Sequence, residues 1–252
     1  MTRGYLVRGM LAGVLAGLLA LIFAKVFGEP WVGRAIAFES TRNAAAGVPE
    51  GHAPVSRTVQ STLGLGVGVL VFGAVIGGLY GLVCAISQGR LGSLRPRGNA
   101  MLVAALGFLS LGLVPFLKYP PNPPSVGHAD TLDRRTVLYF GIIAAAVALT
   151  LGCVVLARWL AARHDSWTSV LVALGAFVVV TALVMIVLPG INEVPGNFPA
   201  VTLFRFRLAS LGVNLVLWTA LGLGFGWLTQ RSLTRSSTRR GPTAEASPPV
   251  RR

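Results

Sequence analysis

Six long apolar runs dominate the chain, at residues 7–27, 59–86, 99–117, 136–162, 167–188 and 203–229. Each is close to or above ~20 residues. At ~1.5 Å of rise per helical residue, that length crosses a hydrocarbon core of ~30 Å. The pattern predicts an all-α integral membrane fold with six transmembrane helices, forming one membrane domain over residues 1–230. Residues 28–58 interrupt the pattern as a polar loop, in which Trp31–Phe38 is expected to lie flat as a short interfacial helix. From residue 231 to 252 the chain is rich in Ser, Thr, Arg and Pro with no apolar period. A disordered basic tail is expected there.

Glycine recurs inside these runs at helical spacing. Gly64, Gly68, Gly73, Gly77 and Gly81 make a ridge on one face of the second run. Gly13 with Gly17, and Gly222 with Gly226, form GxxxG pairs. Small residues at this spacing let helix backbones approach closely in a membrane, where apolar burial alone gives no preference for protein over lipid.

Two proline-broken segments stand out against the apolar background. Pro189–Arg207 reads PGINEVPGNFPAVTLFRFR and holds Asn192, Glu193, Asn197, Arg205 and Arg207. Its prolines rule out a continuous helix. A weaker echo, Pro115–Arg135, reads PFLKYPPNPPSVGHADTLDRR. Both contain P-x-N-x-P, as Pro120-Asn122-Pro124 and Pro195-Asn197-Pro199. Each follows an apolar run that ends near a proline and precedes paired arginines. With the same orientation in both, they suggest parallel two-helix repeats, and the first helix pair with Glu29-Pro30 makes a diverged third copy.

Composition agrees with a membrane protein: 54% hydrophobic, 12% charged and a mean hydropathy of +0.71. A soluble domain is about a quarter charged. The net charge of +14 raises the question of nucleic acid, but the arginines cluster at helix ends and in the tail rather than on a soluble face. Their distribution instead orients the chain. The side holding both termini carries thirteen basic and two acidic residues, and the other side nine basic and six acidic. The positive-inside rule then places both termini in the cytoplasm and the longer loops outside. Cys84 and Cys153 lie within apolar runs, so no disulfide framework is implied.

Candidate chemistry concentrates on that outer side. His52, His128, Glu29 and Glu193 are the candidate metal ligands, since imidazole and carboxylate suit divalent first-row metals. Asp130 and Asp133 stand nearby. Asn122, Asn197, Pro189, Arg205 and Arg207 are the candidate lining of a transport path, because ionisable groups near a bilayer usually face a cavity or one another. Glu193 is expected to pair with Arg205 or Arg207. Two arginines at a mouth repel a bare dication, and would suit an anion or a metal chelate better. His164 beside Asp165 reads as an interfacial residue at a helix end. No P-loop, H-E-x-x-H or G-x-S-x-G motif is present, so neither nucleotide-driven pumping nor an enzymatic role is indicated.

The block INEVPGNFPAVTLFRFRLASLG, the apolar helix after it with Trp218 and GLGFG, the FGEPWVGRAIAFE segment and the His-bearing first loop together resemble the CbtA family. The resemblance covers residues 1–230 and is most specific over 189–211. It implies a cobalt transporter subunit of a bacterial inner membrane, with Co²⁺ as transported ion and no resident cofactor. A small single-helix CbtB-like subunit with a His-containing motif is the partner the resemblance implies; the lipid bilayer and a homo-oligomer are separate expectations. Two other readings stand: a non-transporting scaffold that uses the glycine ridges, and a carrier for an anionic or chelated cobalt compound.

Overall fold

The computed structural model describes residues 2–47, 56, 59–124 and 126–239. Among these, every long regular element is helical, and six helices are long and apolar enough to cross a membrane. Helix α1 (Thr2–Phe23) continues through a π-helical turn, Ala24–Gly28, into α2 (Glu29–Ala45). A second wide turn, Gln60–Gly64, opens α3 (Leu65–Ser87). The third span is α4 (Pro96–Gly107), a π-helical stretch Phe108–Leu113 and the short α5 (Val114–Lys118). Then come α6 (Leu132–Ala161), α7 (Ser166–Val187) and α8 (Ala200–Arg239). The parity of six spans puts both chain ends at one end of the bundle. The proline segments lie at the other, here the loop end.

Two departures from the sequence reading share one cause. Residues 29–45 are helical rather than loop, and the third span runs through Pro115 to Lys118 instead of stopping at the proline. Proline lacks an N–H and clashes with the carbonyl four residues back. In both places it stands in the first turn after a π-helical stretch, whose wider winding removes the clash and where the missing donor costs nothing. The last helix also extends past Gln230 to Arg239. Residues 240–252 are outside the described set.

The seam between α1 and α3 is a backbone contact. A Cβ on Gly13 would lie 2.0 Å from Gly73 O, one on Gly77 would lie 2.2 Å from Gly9 O, and one on Gly81 would lie 2.4 Å from Tyr5 O. Both glycine rows therefore face each other, with Gly9 as a member the GxxxG reading omits. Gly64 and Gly68 take no part, since a Cβ there meets no backbone of another helix. Gly222 and Gly226 of α8 sit instead on Met101, Ala104, Ala100 and Arg97 of α4.

Around that seam the core gathers Tyr80, Cys84, Trp218, Leu221 and Phe225. Trp218 packs against Gly107, where an added Cβ would come within 2.3 Å of its ring. Three polar side chains around this core are paired. Tyr80 Oη donates to Ala100 O (2.5 Å), Asn99 Nδ2 to Cys84 O (3.2 Å) and Ser87 Oγ to Asn99 Oδ1 (3.1 Å). Cys84 is buried and Cys153 donates to Ala173 O, so both thiols act as small packing groups.

The helices do not associate as three equivalent hairpins. Helix α1 packs on α3 and α8, α4 packs on α8, and α6 pairs with α7. The α6–α7 pair meets the rest chiefly through Phe108–Lys118, where Val114 joins Ile142, Ala146 and Phe177. Elsewhere its Val, Leu and Phe side chains are exposed, as lipid contact requires.

Candidate functional site at the loop end

Three elements hold the proline segments together. Ala35 of α2, Val126 of the first segment and Phe198 of the second form a buried cluster, with Phe38 edge-on to Phe198 at 5.1 Å. Lys118, at the end of the third span, reaches across to the fifth. Its Nζ donates to Met185 O and Leu188 O at 2.6 Å each, satisfying carbonyls left open at the end of α7. Tyr119 Oη donates to Pro189 O at 2.9 Å. These contacts pin Pro189 beside the first segment. Sequence reading missed Lys118; the available signal was a lone lysine, not an arginine, after an apolar run and ahead of a proline pair.

Glu193 is the hinge pin of the polar part. Its Oε2 accepts the His128 N–H at 2.8 Å and lies 3.6 Å from Arg135 Nη1. Arg135 Nη2 donates to His128 O at 3.1 Å, and Thr131 Oγ1 donates to the same carbonyl at 3.0 Å. Gly127 makes room for this arginine. Its φ of +118° is a region side chains rarely adopt, and a Cβ there would lie 2.3 Å from Arg135 Nη1. Glu193 therefore pairs with Arg135, rather than with Arg205 or Arg207. The Glu193 carboxyl is held below its ordinary range by the neighbouring Thr131 side chain first, then by the His128 N–H and the Arg135 charge.

A depressed carboxyl makes this latch pH-dependent with a definite sign. Its contribution is complete above the ordinary carboxylate pKa and is lost as pH falls through the lower folded value. The melting temperature in detergent is expected to drop as pH falls below about 4, and to drop less in Glu193→Gln. Equal acid sensitivity in the two proteins contradicts the latch.

Beneath the latch is a cavity of about 600 Å³. It is bounded by both proline segments and by α5, α6 and α8. Its charged and amide lining is Asn122, Arg135, Asn192, Glu193, Arg207 and Asn214. Arg207, half-buried one turn and more into α8, donates from Nη2 to Asn122 Oδ1 at 2.8 Å. Its Nε, like that of Arg135, is shielded from solvent with no acceptor. A second cavity of about 670 Å³ lies between α1, α3 and α8. It is nearly all apolar, with Glu29 and Gln60 as its polar residues, and Ser210 borders both cavities.

The expected site residues are thus partly gathered and partly dispersed. Asn122, Glu193 and Arg207 line one cavity, and the backbone of His128 closes it through Glu193 while its side chain is exposed. Asn197 is exposed in a turn, and Arg205 is exposed on α8 beyond the lining. Asp130 and Asp133 are exposed and outside the lining. Glu29 borders the apolar cavity, 4.0 Å from Lys25. The four expected metal ligands therefore do not meet in one place: Glu29 and Glu193 face different cavities, and His52 lies outside the described residues. Among the described residues no group of three or more His, Cys, Asp or Glu is placed to hold a metal ion. At the terminal end, His164 is exposed and Asp165 caps α7, accepting from Thr168 N–H at 2.8 Å.

No curated protein and no solved structure matches the chain significantly. A family profile does, and it spans the whole helical bundle, including both proline segments and the cavity they enclose. On that match, over residues 2–230, this multi-pass membrane protein belongs to the CbtA family, described as a probable cobalt transporter subunit.

Proposed function

We propose that this chain is the subunit through which a cobalt or related transition-metal cargo enters a transporter of a bacterial inner membrane. The polar cavity at the loop end is its first station. The loop end faces outward and both termini face the cytoplasm, as the excess of basic residues on the terminal side supports. The observation that carries this reading is the cavity itself. Among six lipid-facing helices, the ionisable and amide groups of two distant segments meet in one polar recess. Such groups are costly at a bilayer and mark solute pathways. Asn122, Asn192, Asn214 and Glu193 offer the oxygen atoms, and Arg135 and Arg207 the charge. As a subunit, the chain works with a partner, and a small single-helix protein or a second copy fits the lipid-exposed apolar faces.

The scaffold alternative loses its main support. The glycine rows that would recruit partners are occupied within the chain, Gly9, Gly13 and Gly17 lying against Gly73, Gly77 and Gly81.

Accumulation of radioactive cobalt at nanomolar concentration, in cells with and without the gene, is the test. Uptake is expected to fall severalfold in the deletion and to return with the gene. Equal uptake overturns the transport reading.

A further inference from the structure

The charged lining of the loop-end cavity is two guanidinium groups and one carboxylate, so the cavity carries a net positive charge. Glu193 is already engaged by the His128 N–H, Thr131 and Arg135. Among the described residues Arg207 has no carboxylate partner, and the hydrogen bond it makes there is to the neutral amide of Asn122. A guanidinium offers five N–H donors in a planar fork that matches a carboxylate or phosphate edge. Arg207 uses one of these, and the Nε–H groups of both arginines are shielded from water without an acceptor. Shielded donors without acceptors are rare in native structures and indicate a missing partner. A bare dication would meet net repulsion here and would find its carboxylate already paired. An oxyanion would meet the fork of Arg207, the open Nε–H of Arg135 and three amide side chains.

We propose that the cavity binds its cargo as an anion: a transition metal enclosed by a small carboxylate chelator, whose free carboxylate edges seat on Arg207 and Arg135. This rests on the transport reading above and adds the chemical form of the cargo. Asn122 and Asn192 donate to the remaining oxygens, and the metal contacts no protein ligand, consistent with the absence of a His/Cys/Asp/Glu cluster among the described residues.

The probes are citrate, a preformed one-to-one cobalt(II)–citrate complex, which is an anion, and cobalt(II) chloride. Each is titrated calorimetrically into the full chain in detergent micelles at low salt. The cobalt–citrate complex is expected to bind, and cobalt(II) alone is not. Arg207→Gln and Arg135→Gln should each weaken binding roughly tenfold or more, the loss of a charge-assisted pair. Arg207→Lys keeps the charge without the fork and should fall between. Arg205→Gln, two residues away on an outward face and outside the cavity, should change nothing. Glu193→Gln removes a like charge and should tighten binding severalfold, whereas at a cation site it would weaken it.

Melting temperatures accompany each titration, so that a variant that does not fold is replaced by its Lys counterpart. Four results overturn the proposal. They are binding of cobalt(II) alone that weakens in Glu193→Gln, an equal effect of Arg205→Gln, binding of citrate but not of its cobalt complex, and displacement of cobalt–citrate by phosphatidylglycerol in mixed micelles. In cells the two readings separate. If deletion leaves cobalt uptake unchanged, the transport reading fails. If deletion abolishes uptake but Arg207→Gln supports it fully, only the chelate inference fails.

Discussion

Gly77→Ala is expected to cost about 3 kcal/mol or more of stability, the upper range for overpacking, and Gly77→Leu is expected to leave no folded protein. The added methyl would sit 2.2 Å from Gly9 O and 2.7 Å from Gly13 Cα. Neither is the end of a flexible side chain, so nothing local can move aside. The helices α1 and α3 would have to part along their length, opening the contacts at Gly9–Gly81 and Gly13–Gly73 as well. In a bilayer no hydrophobic effect restores that association, because the separated faces are as well solvated by lipid as by each other. Gly68→Ala on the same helix is the control. Its Cβ would meet no atom within 4 Å, so the change should be neutral or slightly stabilising through the better helix propensity of alanine. Melting curves of the two variants in detergent decide the matter. Parallel loss in both would show that glycine acts through propensity rather than through the seam.

Lys118→Met should cost about 2–4 kcal/mol. The methionine keeps the apolar stem and removes only the ammonium, which makes two short charge-assisted bonds, to Met185 O and Leu188 O. Each such bond contributes about 1.5–3 kcal/mol, less the cost of holding the side chain. The effect should be local as well as global. Amide hydrogen exchange should accelerate from the end of α7 through Pro189–Phe198 and remain unchanged in the α1–α3 seam. Lys118→Arg should recover part of the protection. Uniform acceleration across all helices would contradict a local clamp.

The sequence made the helices readable because lipid imposes one strong constraint. Every backbone polar group must be satisfied within the span, so a long apolar run leaves no choice but a helix. All six runs are helices. What composition could not reveal was how prolines are absorbed. Pro30 and Pro115 look like stops, yet both follow π-helical turns and the chain remains helical. A wider turn depends on packing around it rather than on residue type.

The site was legible in part for similar reasons. Both proline segments stood out because their charge contrasts with the runs beside them, and Asn122, Glu193 and Arg207 meet there. The pairing of Glu193 was not legible. Arg205 and Arg207 are nearer in sequence, but helical rotation sends Arg205 outward, and Arg135 approaches from α6 across Gly127. Asn197 occupies the same P-x-N-x-P position as Asn122, yet it lies in an exposed turn while Asn122 accepts from Arg207. Identical local motifs were placed in different surroundings by distant contacts. Gly127, which the reading passed over, is needed both for its backbone angle and for the space Arg135 fills.

The account depends on the cavity being the cargo's way in. The most direct measurement compares Asn192→Cys with Asn197→Cys, two positions on one loop, of which only the first lines the cavity. Cells carrying each variant are treated with a bulky, membrane-impermeant thiosulfonate reagent, and cobalt uptake is followed. The account predicts that modification at position 192 reduces uptake at least tenfold while modification at position 197 leaves it near the untreated rate. Full uptake with position 192 demonstrably labelled, or equal loss at both positions, would contradict it.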